Sequence, residues 1–220
     1  MQTIYDKNFY DAQIVGSSKS AHLFIKRLVD FIEINSVVDI GCGRGAWLDA
    51  CLKLGSSLTV GYDGHWNSKE QMINENIIFR PHDLNTRIIS SERFDLSMSL
   101  EVAEHIRPEN SDLFLDNLTQ FSDVILFGAA FTGQPGTDHI NCNPHSFWAF
   151  KMRERGYDVF NFLREEFWQI LDVEPWYYQN TFLYVKVGNS VIDNLRTSNI
   201  HPIKNLYSCN SISKWLFDSR

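Results

Sequence analysis

Within the stretch "SLEVAEHI", Glu101, Glu104 and His105 stand close enough to act together. On a helix they would occupy positions i, i+3 and i+4 and share one face. Two carboxylates beside an imidazole suit three different tasks. They can open a solvated helix, where the dipole favours acids, or relay a proton through the histidine. They can also offer hard oxygen and nitrogen ligands to a divalent cation such as Mg²⁺ or Mn²⁺. A cation site needs one more protein ligand. His139, in "GTDHIN", lies in a Gly/Pro/Asn-rich connection of the length that tends to carry function. His145, in "PHSFW", is a rival for that place, although the same residues read as a helix start followed by core aromatics.

A second stretch, "VVDIGCGRGAWL", sets Gly41, Gly43 and Gly45 between an apolar strand and a helix. Glycines there let the chain turn sharply and let a ligand approach the backbone. Asp63 ends the following strand in "GYDG", where a carboxylate can accept both hydroxyls of a ribose. Read with Ala46, the turn also fits the Gly-x-Gly-x-x-Ala variant of dinucleotide folds, which keeps an oxidoreductase open. Two more acids frame the turn: Asp39, two residues before the first glycine, and Asp83, in "HDL" after a third strand. His65 follows the ribose acid and is expected to flank the cofactor.

These groups need a scaffold. Apolar residues at helical spacing over residues 17–34, behind serines that can cap, predict a first helix. "SVVDIG", "LTVGYD", "NIIFRPHDL", "FDLSMSL" and "DVILFGAAF" read as five strands, with helices at "AWLDACLKL" and "NSDLFLDNLTQF". "FWAFKMRERGY" reads as a later helix, and "DVFNFLREEFW" and "WYYQNTFLYVKV" as two closing strands. Strands alternating with helices predict an α/β fold, a Rossmann-like parallel sheet with helices on both faces. Trp176, Tyr177 and Tyr178 fit core positions better than an acceptor pocket. Residues 1–188 are expected to form one domain, and the Asn/Ser-rich residues 189–220 a loose polar tail with a final helix at "ISKWLF".

The bulk numbers agree. With 220 residues, 44% hydrophobic, the chain can bury a core without staples. A net charge of −7 with no basic cluster argues against a nucleic-acid partner. Four scattered cysteines without a Cys-x-x-Cys pair read as reduced thiols, and no run is long and apolar enough for a membrane span. The N-terminus has no signal-peptide pattern, so a cytoplasmic protein is expected. Oligomeric state is not legible.

Asp-x-Gly-x-Gly-x-Gly, an acid after the second strand and Asp-Leu after the third together resemble class I S-adenosylmethionine-dependent methyltransferases. The resemblance runs from about Tyr5 to Val187. It implies a mostly parallel seven-stranded sheet whose last two strands form a reversed hairpin. It also implies that Asp39, Gly41, Gly43 and Gly45 hold the methionine end of the cofactor, Asp63 the ribose and Asp83 the adenine amino group, with Leu84 and Leu100 completing the pocket. The N-terminal segment, with Tyr10 and Lys19, would lid the cofactor.

"FYDAQIVGSSKSA", "SLEVAEHI", "GQPGTDHIN", "FWAF" and "WYYQNTFLYV" further resemble bacterial methyltransferases of surface-polysaccharide (capsule) and natural-product pathways, including enzymes that O-methylate a capsular phosphoramidate. Members of that group usually carry Gly-Gly-Thr-Gly-His where this chain has "PGTDH", which adds Pro135 and Asp138. Glu-x-x-Glu-His with a later histidine resembles the divalent-metal site of small-RNA 2′-O-methyltransferases, and its first three ligands those of ubiquinone-pathway O-methyltransferases. The resemblance therefore implies catalytic Glu101, His105 and His139, and Mg²⁺ or Mn²⁺ on Glu101, Glu104, His105 and His139. The expected activity is methyl transfer to oxygen of a small-molecule or glycan-linked acceptor. An RNA 2′-O-methyltransferase and a catalytically silent binding protein are the alternatives.

Overall fold

The computed structural model describes residues 7–168 and 170–218, with side chains from residue 16 onward. Seven strands form one sheet in the order β3-β2-β1-β4-β5-β7-β6. They are β1 (Ser36–Ile40), β2 (Leu58–Asp63), β3 (Ile78–Pro81), β4 (Leu96–Leu100), β5 (Val124–Gly128), β6 (Tyr157–Phe160) and β7 (Thr181–Lys186). β1, β2, β3, β4 and β5 pair in parallel, whereas β7 runs antiparallel to both β5 and β6. The sheet is thus mixed, a correction to the expectation of a mostly parallel one. The reversal falls at the C-terminal end, where it was expected.

The central strands β1, β4 and β5 are buried almost throughout because both of their faces are covered. Successive side chains alternate between two cores. Val37, Leu96, Met98, Leu126, Leu183 and Val185 face one side, beneath α1 (Lys7–Leu28), α2 (Ala46–Lys53), α5 (Phe162–Phe167), α6 (Pro175–Asn180) and α7 (Val191–Thr197). Val38, Ile40, Ile125, Phe127, Phe182 and Tyr184 face the other, beneath α3 (Ser111–Thr119) and α4 (His145–Glu154).

Three local expectations change. The first helix starts earlier and ends at Leu28. Its serines do not cap, since Ser20 Oγ donates to the Gly16 carbonyl and Ser17 shares a hydrogen bond with the Tyr177 hydroxyl. "WYYQN" is the helix α6, begun at Pro175, and only "TFLYVK" is strand. The segment after Gly188 is packed, not loose. Val191, Ile192 and Leu195 enter one core and Leu206 and Cys209 the other, and α8 (Lys214–Asp218) follows. Polar composition hid this because few apolar residues, correctly spaced, are enough to dock a short helix.

Along the sheet, β1 has β2 on one side and β4 on the other, so the connection order reverses between β1 and β4. In an open α/β sheet the crevice at the carboxyl ends of the strands beside such a switch point is the ligand site. The glycine turn follows β1 and "EVAEH" follows β4.

Candidate functional site

The turn after β1 is held from below and open above. Gly41 and Cys42 donate their N–H groups to the Tyr62 carbonyl at 2.8 and 3.1 Å. Asp63 accepts from Gly43 N and Gly64 N, each at 2.6 Å, while Asn67 Nδ2 donates to the Gly43 carbonyl. Gly43 has φ +52, and a Cβ there would meet nothing within 4 Å, so the open space lies directly over this backbone. Burial raises the Asp63 carboxyl, opposed by the N–H groups it accepts. Deeper in, Asp39 is pushed up to about 8 by burial and by the Asp63 charge. Leu84 and Leu100 are buried beside these ends, while Asp83 is exposed and accepts from Asn85 N at 3.0 Å. Sequence reasoning missed Asn67, which lies in a loop without a periodic signal.

These residues fit the adenosine cofactor implied by the sequence. Each Asp63 oxygen retains a lone pair toward a ribose hydroxyl, since an ionised carboxylate has about four acceptor positions for the contacts made. The uncovered backbone at Gly43 leaves room for the ligand's approach.

The second half of the site is built after β4. Glu101 N extends the ladder to the Gly128 carbonyl at 2.9 Å, and Glu101 then turns the chain at φ +57. Only Ala103–His105 form a helical turn, a 3₁₀ one. The expected shared helix face is therefore absent, because Glu101 precedes the turn in a left-handed conformation. Its carboxylate accepts from Asn180 Nδ2 at 2.7 Å and from Gln134 Nε2 at 2.9 Å, outside the group of converging ligand atoms but near enough for its charge to act on Glu104.

Glu104, His105 and His139 do converge, with one ligand atom of each within 4.8 Å of the others. The loop between β5 and α4 is pinned to the turn to achieve this. Ile140 N and Asn141 N both donate to the Glu104 carbonyl at 2.9 Å, and Asn141 Nδ2 donates to Ala103 O at 3.1 Å. Asp138, at φ +55, turns its carbonyl to His105 Nδ1 at 3.2 Å, and the Gln134 carbonyl lies 3.2 Å from His139 Nδ1. A carbonyl can only accept, so each Nδ1 carries the proton and each Nε2 keeps its lone pair. Pro135 and Asp138, the departures from the family pattern, thus sit in the loop that orients both imidazoles. Gly136 is needed there because a Cβ would come within 2.2 Å of the His139 ring.

Glu104 is fully buried, and neither of its carboxylate oxygens has a hydrogen-bond partner. Burial and the Glu101 charge hold it well above the usual carboxylate range. Burial lowers both His105 and His139, so the imidazoles are neutral near pH 7. An orphaned carboxylate facing two neutral lone-pair donors is of a type that suits a divalent cation.

The remaining candidates lie elsewhere. His145 is buried between the Phe131 and Phe182 rings, away from the trio, and His65 is exposed. Tyr177 and Tyr178 are core residues, with Trp176 packed against them, and Lys19 pairs with Asp172 at the surface. Tyr10 lies outside the residues whose side chains are described. Gln134, Asn141 and Asn180 were not found from sequence, because their partners are distant in the chain. All four cysteines are free, with Cys142 Sγ 3.5 Å from His139 Nδ1.

Known proteins share this architecture. An O-methyltransferase family protein from Burkholderia thailandensis superposes with a TM-score of 0.61 at 16% identity, covering 84% of this chain and 62% of that one. Magnesium protoporphyrin IX methyltransferase from Synechocystis, solved with bound S-adenosylmethionine, gives a TM-score of 0.55 at 17% identity, covering 82% of this chain and 85% of that one. The fold is that of the class I methyltransferases. No family model matches the chain. A mitochondrial ubiquinone biosynthesis O-methyltransferase of Dictyostelium discoideum is 33% identical over 103 residues, 39% of this chain. The match spans about a third (31%) of that relative's length. In this methyltransferase fold the glycine turn and the trio face the same switch point, and no described helix is long and apolar enough to cross a membrane.

Proposed function

We propose that the chain is an S-adenosylmethionine-dependent O-methyltransferase, with a divalent cation on Glu104, His105 and His139 and with Glu101 beside them. The carrying observation is the orphaned buried carboxylate of Glu104, facing two neutral imidazoles just beyond β4, the strand that pairs with β1.

The cofactor supplies an electrophilic methyl group on a sulfonium. The glycine turn would hold its methionine end and Asp63 its ribose, with Asp39, Asp83, Leu84 and Leu100 around it. A divalent cation such as Mg²⁺ or Mn²⁺ supplies Lewis acidity that lowers the pKa of an acceptor hydroxyl. Glu104 neutralises charge at that position, and the carbonyls of Asp138 and Gln134 fix the ring orientation of His105 and His139. Such a site would favour an acceptor with two neighbouring oxygens, which matches vicinal hydroxyls of a small or glycan-linked molecule and a phosphate-like group alike. The relatives with small-molecule names support the first class. A cytoplasmic location is part of this proposal.

Calorimetric titration tests the cofactor. S-adenosylhomocysteine is expected to bind and NAD to give no heat; the reverse result would turn the glycine turn into a dinucleotide site. A second titration addresses the acceptor. With a net charge of −7, immobilised RNA is expected neither to bind at physiological salt nor to accept labelled methyl. Label on a 3′-terminal ribose would instead establish the RNA 2′-O-methyltransferase.

A further inference from the structure

Glu101 is held by an arrangement too complete to be incidental packing. Each of its carboxylate oxygens takes one amide N–H, from Asn180 and from Gln134, and Asn180 Nδ2 also donates to Gln134 Oε1 at 2.9 Å. The three side chains close a ring. Turning the Asn180 amide over would set its oxygen against Glu101 and against Gln134 Oε1, so one orientation is required.

His145 meets the other end of that amide. Its Nε2 lies 3.0 Å from Asn180 Oδ1, and its Nδ1 lies 3.1 Å from the Cys209 carbonyl. Burial and the adjacent Arg164 guanidinium push His145 down to about 3, so the ring is neutral and has one proton to place. Arg164 Nη1 already donates to the Cys209 carbonyl at 3.1 Å. The Cys209 carbonyl keeps a second lone pair and Asn180 Oδ1 also accepts, so the one ring proton serves Asn180 from Nε2 or Cys209 from Nδ1. Asn180 and His145 are almost wholly buried, and Gln134 nearly so. Both Glu101 oxygens keep a free lone pair after these contacts.

We infer that Gln134, Asn180 and His145 are positioning residues that hold the Glu101 carboxylate ready as the acid completing the cation site of Glu104, His105 and His139. The inference rests on the metal reading above. It makes the turn at Leu206–Asn210, which supplies the Cys209 carbonyl, part of the support of the active rim. Metal-ligating carboxylates are commonly oriented by such outer hydrogen bonds.

The test is Mn²⁺ titration of the purified full chain, followed by the electron paramagnetic resonance of the free ion. Wild type is expected to take up Mn²⁺ and Glu104→Gln to lose it. Asn180→Leu and His145→Phe should each weaken uptake by about 10–100-fold. His145→Gln, which keeps an N–H toward Asn180, should recover most of it, a rescue that loss of packing alone would not give. Gln134→Leu, on the loop, should shift uptake in the same direction if the buried variants fail to fold. S-adenosylhomocysteine affinity should stay at the wild-type value throughout. ¹⁵N resonances of metal-free protein add a readout independent of metal: the share of the His145 proton on Nε2 should fall in Asn180→Leu, where only the Cys209 carbonyl is left to accept. Uptake that is lost in Glu104→Gln but unchanged in the Gln134, Asn180 and His145 variants overturns the positioning role and leaves the metal reading intact. No uptake by wild type refutes both.

Discussion

Glu104→Gln is expected to abolish divalent-cation binding and, at the same time, to stabilise the metal-free protein at pH 8. Both effects have one origin. The Glu104 carboxylate is fully buried without a hydrogen-bond partner, so its ionised form is costly unless a cation is present. Its carboxyl is raised above the ordinary value of 4.5, and Glu101 is raised to about 7, chiefly by burial. A carboxyl with a raised folded-state pKa contributes stability fully present below about pH 4.5 and lost as pH rises through the folded value. Metal-free wild type should therefore lose stability between pH 5 and 8 from these groups, by about 1–3 kcal/mol for an unsatisfied buried group. Glu104→Gln should flatten that slope. Saturating Mn²⁺ should reverse it in wild type only, adding about 2.7 kcal/mol at a hundredfold excess over Kd. Urea denaturation at the two pH values, with and without Mn²⁺, checks each part. Equal Mn²⁺ stabilisation of wild type and variant would reject the trio as a metal site.

The second large effect concerns the cofactor. Asp63→Ala is expected to weaken S-adenosylhomocysteine binding by about 1.5–3 kcal/mol, the loss of charge-assisted hydrogen bonds to two ribose hydroxyls. The structure adds a second contribution, because Asp63 also anchors the turn through Gly43 N and Gly64 N. Asp63→Asn should lose less. One amide oxygen can still accept from Gly43, while the amide nitrogen must face a second donor. Calorimetry on folded variants distinguishes these cases, and an unchanged dissociation constant for Asp63→Ala would remove Asp63 from the site.

Much of the scaffold was legible in the chain. Buried strands and amphipathic helices announce themselves by periodicity, so β1, β2, β4, β5, α2 and α3 lie within a few residues of their expected places. The glycine turn was legible because only glycine suits a backbone such as that of Gly41, at φ +90 with the Val102 side chain 2.3 Å from where a Cβ would stand. Segments whose structure depends on distant partners were not. The α6 helix was hidden in an aromatic run, and the docking of residues 189–218 in a polar composition.

By itself, the sequence determined the alternation of strands and helices, the residues of the glycine turn and the acids around it, since each follows from local propensity or backbone sterics. It also named Glu104, His105 and His139 as candidate ligands by residue type. Only the tertiary structure decided that these three meet while Glu101 turns to Asn180 and Gln134. A ligand atom's position depends on the φ of its own residue and on hydrogen bonds to residues as many as 79 positions away. Neither quantity is written in the local pattern of side chains.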